Sequence, residues 1–169
     1  MARFVALIRA VNVGGTGKLP MTKLKAMCED AGFSRVETYI ASGNVVFDSA
    51  AAPSKTKTEL ERKLHDHAGK AVGVMVRSAK EMAAILKTNP FAKSEPKYTY
   101  VVFLNHAPPK DWRDGISGQA DEEIKAGKRE IYVHYPTGMG RSKLKIRAAA
   151  AGTARNLNTV NKLVEMAQR

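Results

Sequence analysis

The stretch Val36-Glu37-Thr38-Tyr39-Ile40-Ala41-Ser42-Gly43-Asn44-Val45-Val46-Phe47 decides the fold. Val36 to Ile40 alternates as a half-buried strand does, Ser42-Gly43-Asn44 supplies turn chemistry, and Val45-Val46-Phe47 runs back as a second strand. A helical pattern lies on each side. Upstream, Leu24, Met27, Cys28 and Ala31 form one apolar stripe behind Pro20, and Gly32 ends it as a left-handed cap. Downstream, Ser54 is the expected N-cap of a helix carrying Leu60, Leu64 and Ala68. Short apolar strands close both ends, Phe4 to Ile8 and Val72 to Val76. The order is β-α-β-β-α-β, the ferredoxin-like pattern.

The rest of the chain echoes that order. A short helix over 79–87 and the break Asn89-Pro90-Phe91 lead to the strand Tyr98 to Leu104. A short helical stretch near Trp112 follows. Glu122 to Ala126 and Glu130 to Tyr135 read as a hairpin through Gly127-Lys128. Ser142 to Ala151 is helical in propensity, and the final helix, opened by Thr153 to Thr159, carries Leu157, Val160, Val164 and Ala167. The expected fold class is therefore α+β with antiparallel sheets: two ferredoxin-like halves, βαββαβ followed by βαββα plus a C-terminal helix. The expected division is 1–78, a connecting helix and loop over 79–97, and 98–169.

Composition narrows the function classes. The 169 residues suffice for one compact domain or two small ones. No apolar run approaches the ~20 residues of a membrane span. The first apolar run is too short for a signal peptide and is interrupted by Arg9. The single cysteine, Cys28, forms no internal disulfide and fits a reducing cytoplasm. The net charge is +12. It gathers towards the C-terminus, where Lys125, Lys128, Arg129, Arg141, Lys143, Lys145, Arg147, Arg155, Lys162 and Arg169 face only Glu130 and Glu165. Such a surface attracts polyanions, and it also keeps a protein soluble without any partner.

Two glycine-rich turns are candidate anion sites. Gly14-Gly15-Thr16-Gly17-Lys18 falls short of a nucleotide phosphate loop, because Asn12 and Leu19 stand where that pattern needs glycine and a hydroxyl. Its glycines still leave backbone N–H groups beside Lys18. Gly138-Met139-Gly140-Arg141-Ser142-Lys143 precedes the expected helix over 142–151, with Ser142 as cap and Arg141 and Lys143 flanking its N-terminus. Arg155 and Asn156 open the last helix, where Asn caps and Arg binds carbonyls. Ordinary turns and caps explain each feature equally simply.

Familiar catalytic arrangements are missing. His65 and His67 face different directions on a helix, and His106 and His134 lack partners at metal-ligand spacing. Cys28 lies on an apolar stripe, and no serine occupies a nucleophile elbow. Tyr98, Tyr100, Tyr132 and Tyr135 lie in or beside strands, as on an RNA-binding sheet, but the RNA-recognition signature is absent.

Several of these signatures occur together in a characteristic order: Arg9, Asn12, Gly14 and Gly15; Ser42-Gly43-Asn44; Asn89-Pro90-Phe91; Arg141-Ser142-Lys143-Leu144; and Thr153, Arg155, Asn156, Thr159 and Lys162. In this the chain resembles the bacterial family catalogued as domain of unknown function 1697, from Arg9 to about Leu163. The resemblance implies paired ferredoxin-like subdomains in a small cytoplasmic protein, with no cofactor and no assigned reaction. Ala10 stands where the family commonly has Gly, which implies a backbone not forced to positive φ. Leu157 stands where it commonly has Trp, which implies a packing site. The expected activity is binding of an anionic, phosphorylated small molecule between the two halves by Arg9, Asn12, Gly14, Gly15, Lys18, Arg141, Ser142, Lys143, Arg155 and Asn156. The alternatives are nucleic-acid binding by the basic C-terminal third, and an enzyme acting on a phosphorylated substrate. Neither metal nor membrane is expected.

Overall fold

The structure is a computed structural model and describes residues 1–12 and 17–169. The chain divides into two compact units, Met1–Ala83 with Leu163–Arg169, and Ala84–Lys162.

In the first unit, β1 (Ala2–Ile8), α1 (Met21–Asp30), β2 (Ser34–Thr38), β3 (Asn44–Ser49), α2 (Pro53–Ala68) and β4 (Val74–Ser78) follow in sequence. The sheet order is β2-β3-β1-β4, and every neighbouring pair is antiparallel. Residues of alternate parity on a strand face opposite sides. Thus Phe4, Ala6, Ile8, Val45, Phe47, Val74 and Val76 meet Leu24 and Cys28 of α1 and Leu60 and Leu64 of α2 in one cluster. Phe33 stacks on Phe47 with ring centroids 4.3 Å apart. The opposite parity, Val5, Leu7, Val46, Met75 and Arg77, is also buried. Burial pushes the Cys28 thiol up to about 12, so it is a core side chain and not a nucleophile at neutral pH.

Local chemistry sets the ends of the helices. α1 stops at Asp30, and Gly32 takes φ +89 while Phe33 N–H reaches back to Cys28 O, a left-handed C-terminal motif. α2 starts differently from the expectation: Ala52 is its N-cap and Pro53 its first residue, so a pre-set φ starts the helix and not a Ser54 cap. After β4 comes α3 (Ala79–Lys87), opened by a capping box in which Ser78 Oγ accepts from Glu81 N–H and Glu81 Oε1 accepts from Ser78 N–H.

Arg3 ties together three segments of the first unit through four acceptors. Its guanidinium, on a side chain 7% exposed, donates to Asp48 at 3.1 Å and to Glu37, Arg35 O and Met166 O at 3.2 Å. Arg35 closes on the other Asp48 oxygen at 2.6 Å, and Arg169 on the other Glu37 oxygen at 3.2 Å.

The second unit is built on β5 (Thr99–Phe103), β6 (Ile116–Ser117), β7 (Glu123–Ala126), β8 (Glu130–His134), β9 (Lys145–Ile146) and β10 (Thr153–Asn156), followed by α4 (Leu157–Ala167), whose end belongs to the first unit. β10-β5-β8-β7 form one antiparallel sheet, and β6 and β9 a two-stranded one. The β7–β8 hairpin closes where expected, with Gly127 N–H on Glu130 O at 2.7 Å. Two expectations are corrected. Residues 142–151 form no α-helix, and 153–156 form a strand, so the helix begins at Leu157. The reason lies in the side chains: Leu144 and Ile146 must both reach the cluster of Val102, Leu104, Ile124, Ile131 and Val133, and only an extended segment turns alternate residues to one side. Leu157 is buried, as the packing reading requires.

Among the described residues no helix is long and apolar enough to cross a membrane.

Candidate functional site

A cavity of about 450 Å³ opens in the first unit where β1 ends. Its walls come from three places in the sequence: Arg9, Ala10 and Val11 after β1 with Gly17, Lys18 and Leu19 before α1; Leu64, His67 and Ala68 at the end of α2; and Lys70 to Gly73 before β4. Val11, Leu19 and Leu64 are buried and form an apolar floor with half-buried Val72. Arg9, Lys18 and Lys70 are exposed at the rim, and no carboxylate stands among the described lining residues.

The backbone here is held tightly. Arg9 N–H donates to Gly73 O at 2.9 Å, and a Cβ at Gly73 would lie 3.4 Å from Arg9 Cβ and Cδ, so the arginine stem runs over that glycine. His67 Nε2 meets Lys18 O at 3.1 Å; with a carbonyl as partner, that nitrogen carries the proton. Asn12 has both ends of its amide engaged: Nδ2 donates to Leu19 O and Ala41 O, and Oδ1 accepts from Leu19 N–H, all at 2.8 Å. Asn12 therefore clasps two loops, and its amide is not directed at a ligand. Ala10 and Asn12 take φ +55 and +56, and Ile40 takes φ +50.

The value at Ala10 corrects the expectation of an unforced backbone there. The left-handed conformation costs a residue with a Cβ ~1–2 kcal/mol, and glycine gives back part of that in chain entropy. Ala10→Gly is thus expected to raise stability by about 0.5–1 kcal/mol, read as a higher urea midpoint at unchanged slope. A lower midpoint would show that the exposed methyl packs usefully.

The structure brings together Arg9 and Lys18 of the expected site residues. Gly14 and Gly15 lie outside the described residues. Arg141, Ser142 and Lys143 belong to the second unit and flank no helix N-terminus, since the helix expected after them is extended chain. Ser142 is tied down: its Oγ donates to Glu122 Oε2 and accepts from Leu144 N–H at 3.1 Å. That bond and the Ala120 N–H hold the Glu122 carboxyl below the usual range. Arg155 is a buried strand residue whose Nη1 donates to Thr153 Oγ1 at 2.6 Å and Ala154 O at 2.9 Å. Burial lowers it to about 10, which leaves it charged at neutral pH. Asn156 caps α4, accepting from Asn158 N–H at 2.9 Å while Nδ2 donates to Lys97 O.

The tyrosines form no open platform. Tyr132 is buried with its hydroxyl on Ile85 O at 2.8 Å, Tyr98 lies in a 3-10 turn before β5, and Tyr100 packs edge-on against Tyr135.

Sequence reasoning missed Lys70 and Val72. One signal for them exists: in a β-α-β-β-α-β unit the last strand pairs with the first. The β1–β4 register, with Ile8 opposite Val74, sets 70–73 beside Arg9.

Fold and site together define a mixed α+β protein with antiparallel sheets and a basic pocket on the first of them. The model described as Protein of unknown function (DUF1697) matches residues 1–132, and the chain belongs to that family. No curated protein matches the chain. Among solved structures it is similar to the conserved bacterial protein SP0830 from Streptococcus pneumoniae, with 24% identity and a TM-score of 0.83 over 100% of this chain and 99% of that one. That likeness concerns the fold.

Proposed function

We propose that this protein binds a small amphipathic anion in the pocket of its first unit. The acidic group sits among Arg9, Lys18 and Lys70, and the carbon body lies over Val11, Leu19, Leu64 and Val72. The carrying observation is a cationic rim above an apolar floor, with no carboxylate among the described lining residues, in a cavity of about 450 Å³. That volume is in the range of small-ligand sites. A phosphate or carboxylate there gains charge-assisted hydrogen bonds, and the floor takes apolar surface from water. Binding is favoured over catalysis because no carboxylate among the described lining residues stands beside His67 to complete an acid–base pair. The frame is ferredoxin-like in both units. This is supported by the order β2-β3-β1-β4 and its counterpart β10-β5-β8-β7, in which extended segments replace the two crossover helices. A cytoplasmic location is supported by the single buried cysteine.

Phenyl phosphate titrated at constant ionic strength, followed by calorimetry, is expected to saturate one site that benzyl alcohol does not fill. Arg9→Ala is expected to weaken it at least about tenfold, the worth of one charge-assisted hydrogen bond. Equal affinity in wild type, Arg9→Ala and Lys70→Ala sinks the proposal.

A further inference from the structure

The segment that departs most from its sequence expectation carries a row of four exposed cations. Along 141–147 exposure alternates without a break: Arg141, Lys143, Lys145 and Arg147 are exposed, while Ser142, Leu144 and Ile146 are half-buried between them. Leu144 and Ile146 pack on the apolar cluster of the second unit, and Ser142 is bonded to Glu122. β9 pairs with β6, with Ser117 opposite Lys145 and Ile116 opposite Ile146. Gly115 and Gly118 let the chain lie close here: a Cβ at Gly118 would collide with Lys143 O, and one at Gly115 with Arg147 Cβ. Lys143 and Lys145 stand on this braced, extended backbone, and Arg141 and Arg147 stand at its two ends, each in a 3-10 turn, with the Arg147 stem over Gly115. Among the described residues none of them has a carboxylate within ion-pair distance.

We propose that this row is a binding site for a single nucleic-acid strand. Successive cations on one side of an extended chain stand ~6.6 Å apart, two residues at ~3.3 Å each. The row is thus linear and spans ~20 Å. Its match is a linear polyanion, and a single strand can lay successive phosphates along the row. Among the described residues no row of exposed aromatics accompanies it, so the contacts are to the backbone and sequence-tolerant. Because the segment is already braced, little ordering opposes binding. This site is separate from the pocket of the first unit and does not depend on it.

The test is fluorescence anisotropy with a labelled oligothymidylate of about 15 nucleotides, on the scale of known single-strand sites, across ~50–200 mM salt. Neutralising a phosphate on a single strand contributes about −0.7 to the slope of log K against log salt, so four contribute about −2.8. R141Q/K143Q/K145Q/R147Q is expected to lose most of that slope and at least about tenfold in affinity at the low-salt end. The charge-matched control K23Q/K25Q/K55Q/K80Q, all exposed positions of the first unit, is expected to keep both. Thermal unfolding verifies that each variant is folded. Equal losses in the two variants would reduce the binding to net charge and overturn the proposal. So would tighter binding to a duplex of the same length, tighter binding to phosphatidylserine vesicles, or no binding at the lowest salt.

Discussion

Gly43→Ala is expected to destabilise the protein by about 3 kcal/mol, a fall of ~6–12 °C in melting temperature for a chain of this size. Two costs combine. Gly43 has φ +89, where a Cβ is disfavoured by ~1–2 kcal/mol. The new methyl would also stand 2.7 Å from Val11 Cγ2 and 2.9 Å from Ile8 Cβ, and overfilling a packed core costs ~1–3 kcal/mol. Both neighbours are buried, and Ile8 is further fixed by its N–H on Gly43 O at 2.8 Å. Gly32→Ala separates the two costs. Gly32 has the same φ of +89 with nothing within 4 Å of its added Cβ, so it is expected to lose only the backbone share. If the two variants melt together, the corner yields and the packing half of the argument fails. Because Val11 also lines the pocket, Gly43→Ala is expected to weaken phenyl phosphate binding, whereas Gly32→Ala is expected to leave it unchanged.

Replacing Arg3 with Met, which keeps the apolar stem and removes the guanidinium, is expected to cost about 3 kcal/mol, at the low end for opening a buried ion pair. Asp48 and Glu37 retain Arg35 and Arg169, which holds the loss down. The bond to Met166 O goes too, so faster amide exchange is expected in Leu163–Arg169. Arg3→Lys should fall between, since one ammonium cannot reach all four acceptors. Acid narrows the effect. The hydrogen bond from Arg35, then that from Arg3, holds the Asp48 carboxyl below its usual range. A group with a lowered folded-state pKa contributes stability above its unfolded value and loses it as pH falls through the folded one. Wild type should therefore hold this contribution down to roughly pH 4 and lose it below, so the stability gap between wild type and Arg3→Met should shrink as pH falls below ~4. A loss under ~0.5 kcal/mol at neutral pH would place Arg3 with ordinary surface pairs.

The first unit was legible in its periodicities. Alternation at Val36 to Ile40, the stripe Leu24-Met27-Cys28 and the cap at Gly32 each report which side of an element faces apolar neighbours, and that sidedness is local. The same logic misread 142–151. Alanines and lysines favour a helix, but the alternation of Arg141, Lys143, Lys145 and Arg147 with Leu144 and Ile146 is strand-like, and burial of the two apolar residues outweighed propensity. Arg155 looked like a ligand-facing helix residue because nothing local marks a buried strand position. Ala10 was read as unstrained because its positive φ comes from partners elsewhere, among them Leu19 and Ala41 on the clasp of Asn12.

The amino-acid order thus fixed the family, the α+β class, the β-α-β-β-α-β course of the first unit and a cationic chain. Tertiary structure decided where the cations act. Arg9, Lys18 and Lys70 share a rim only because β4 returns antiparallel beside β1, and the row at 141–147 faces solvent only because Leu144 and Ile146 are drawn into a core. Side-chain periodicity is a property of neighbours along the chain, whereas a binding site joins residues distant in sequence, and pairing and packing alone bring those together.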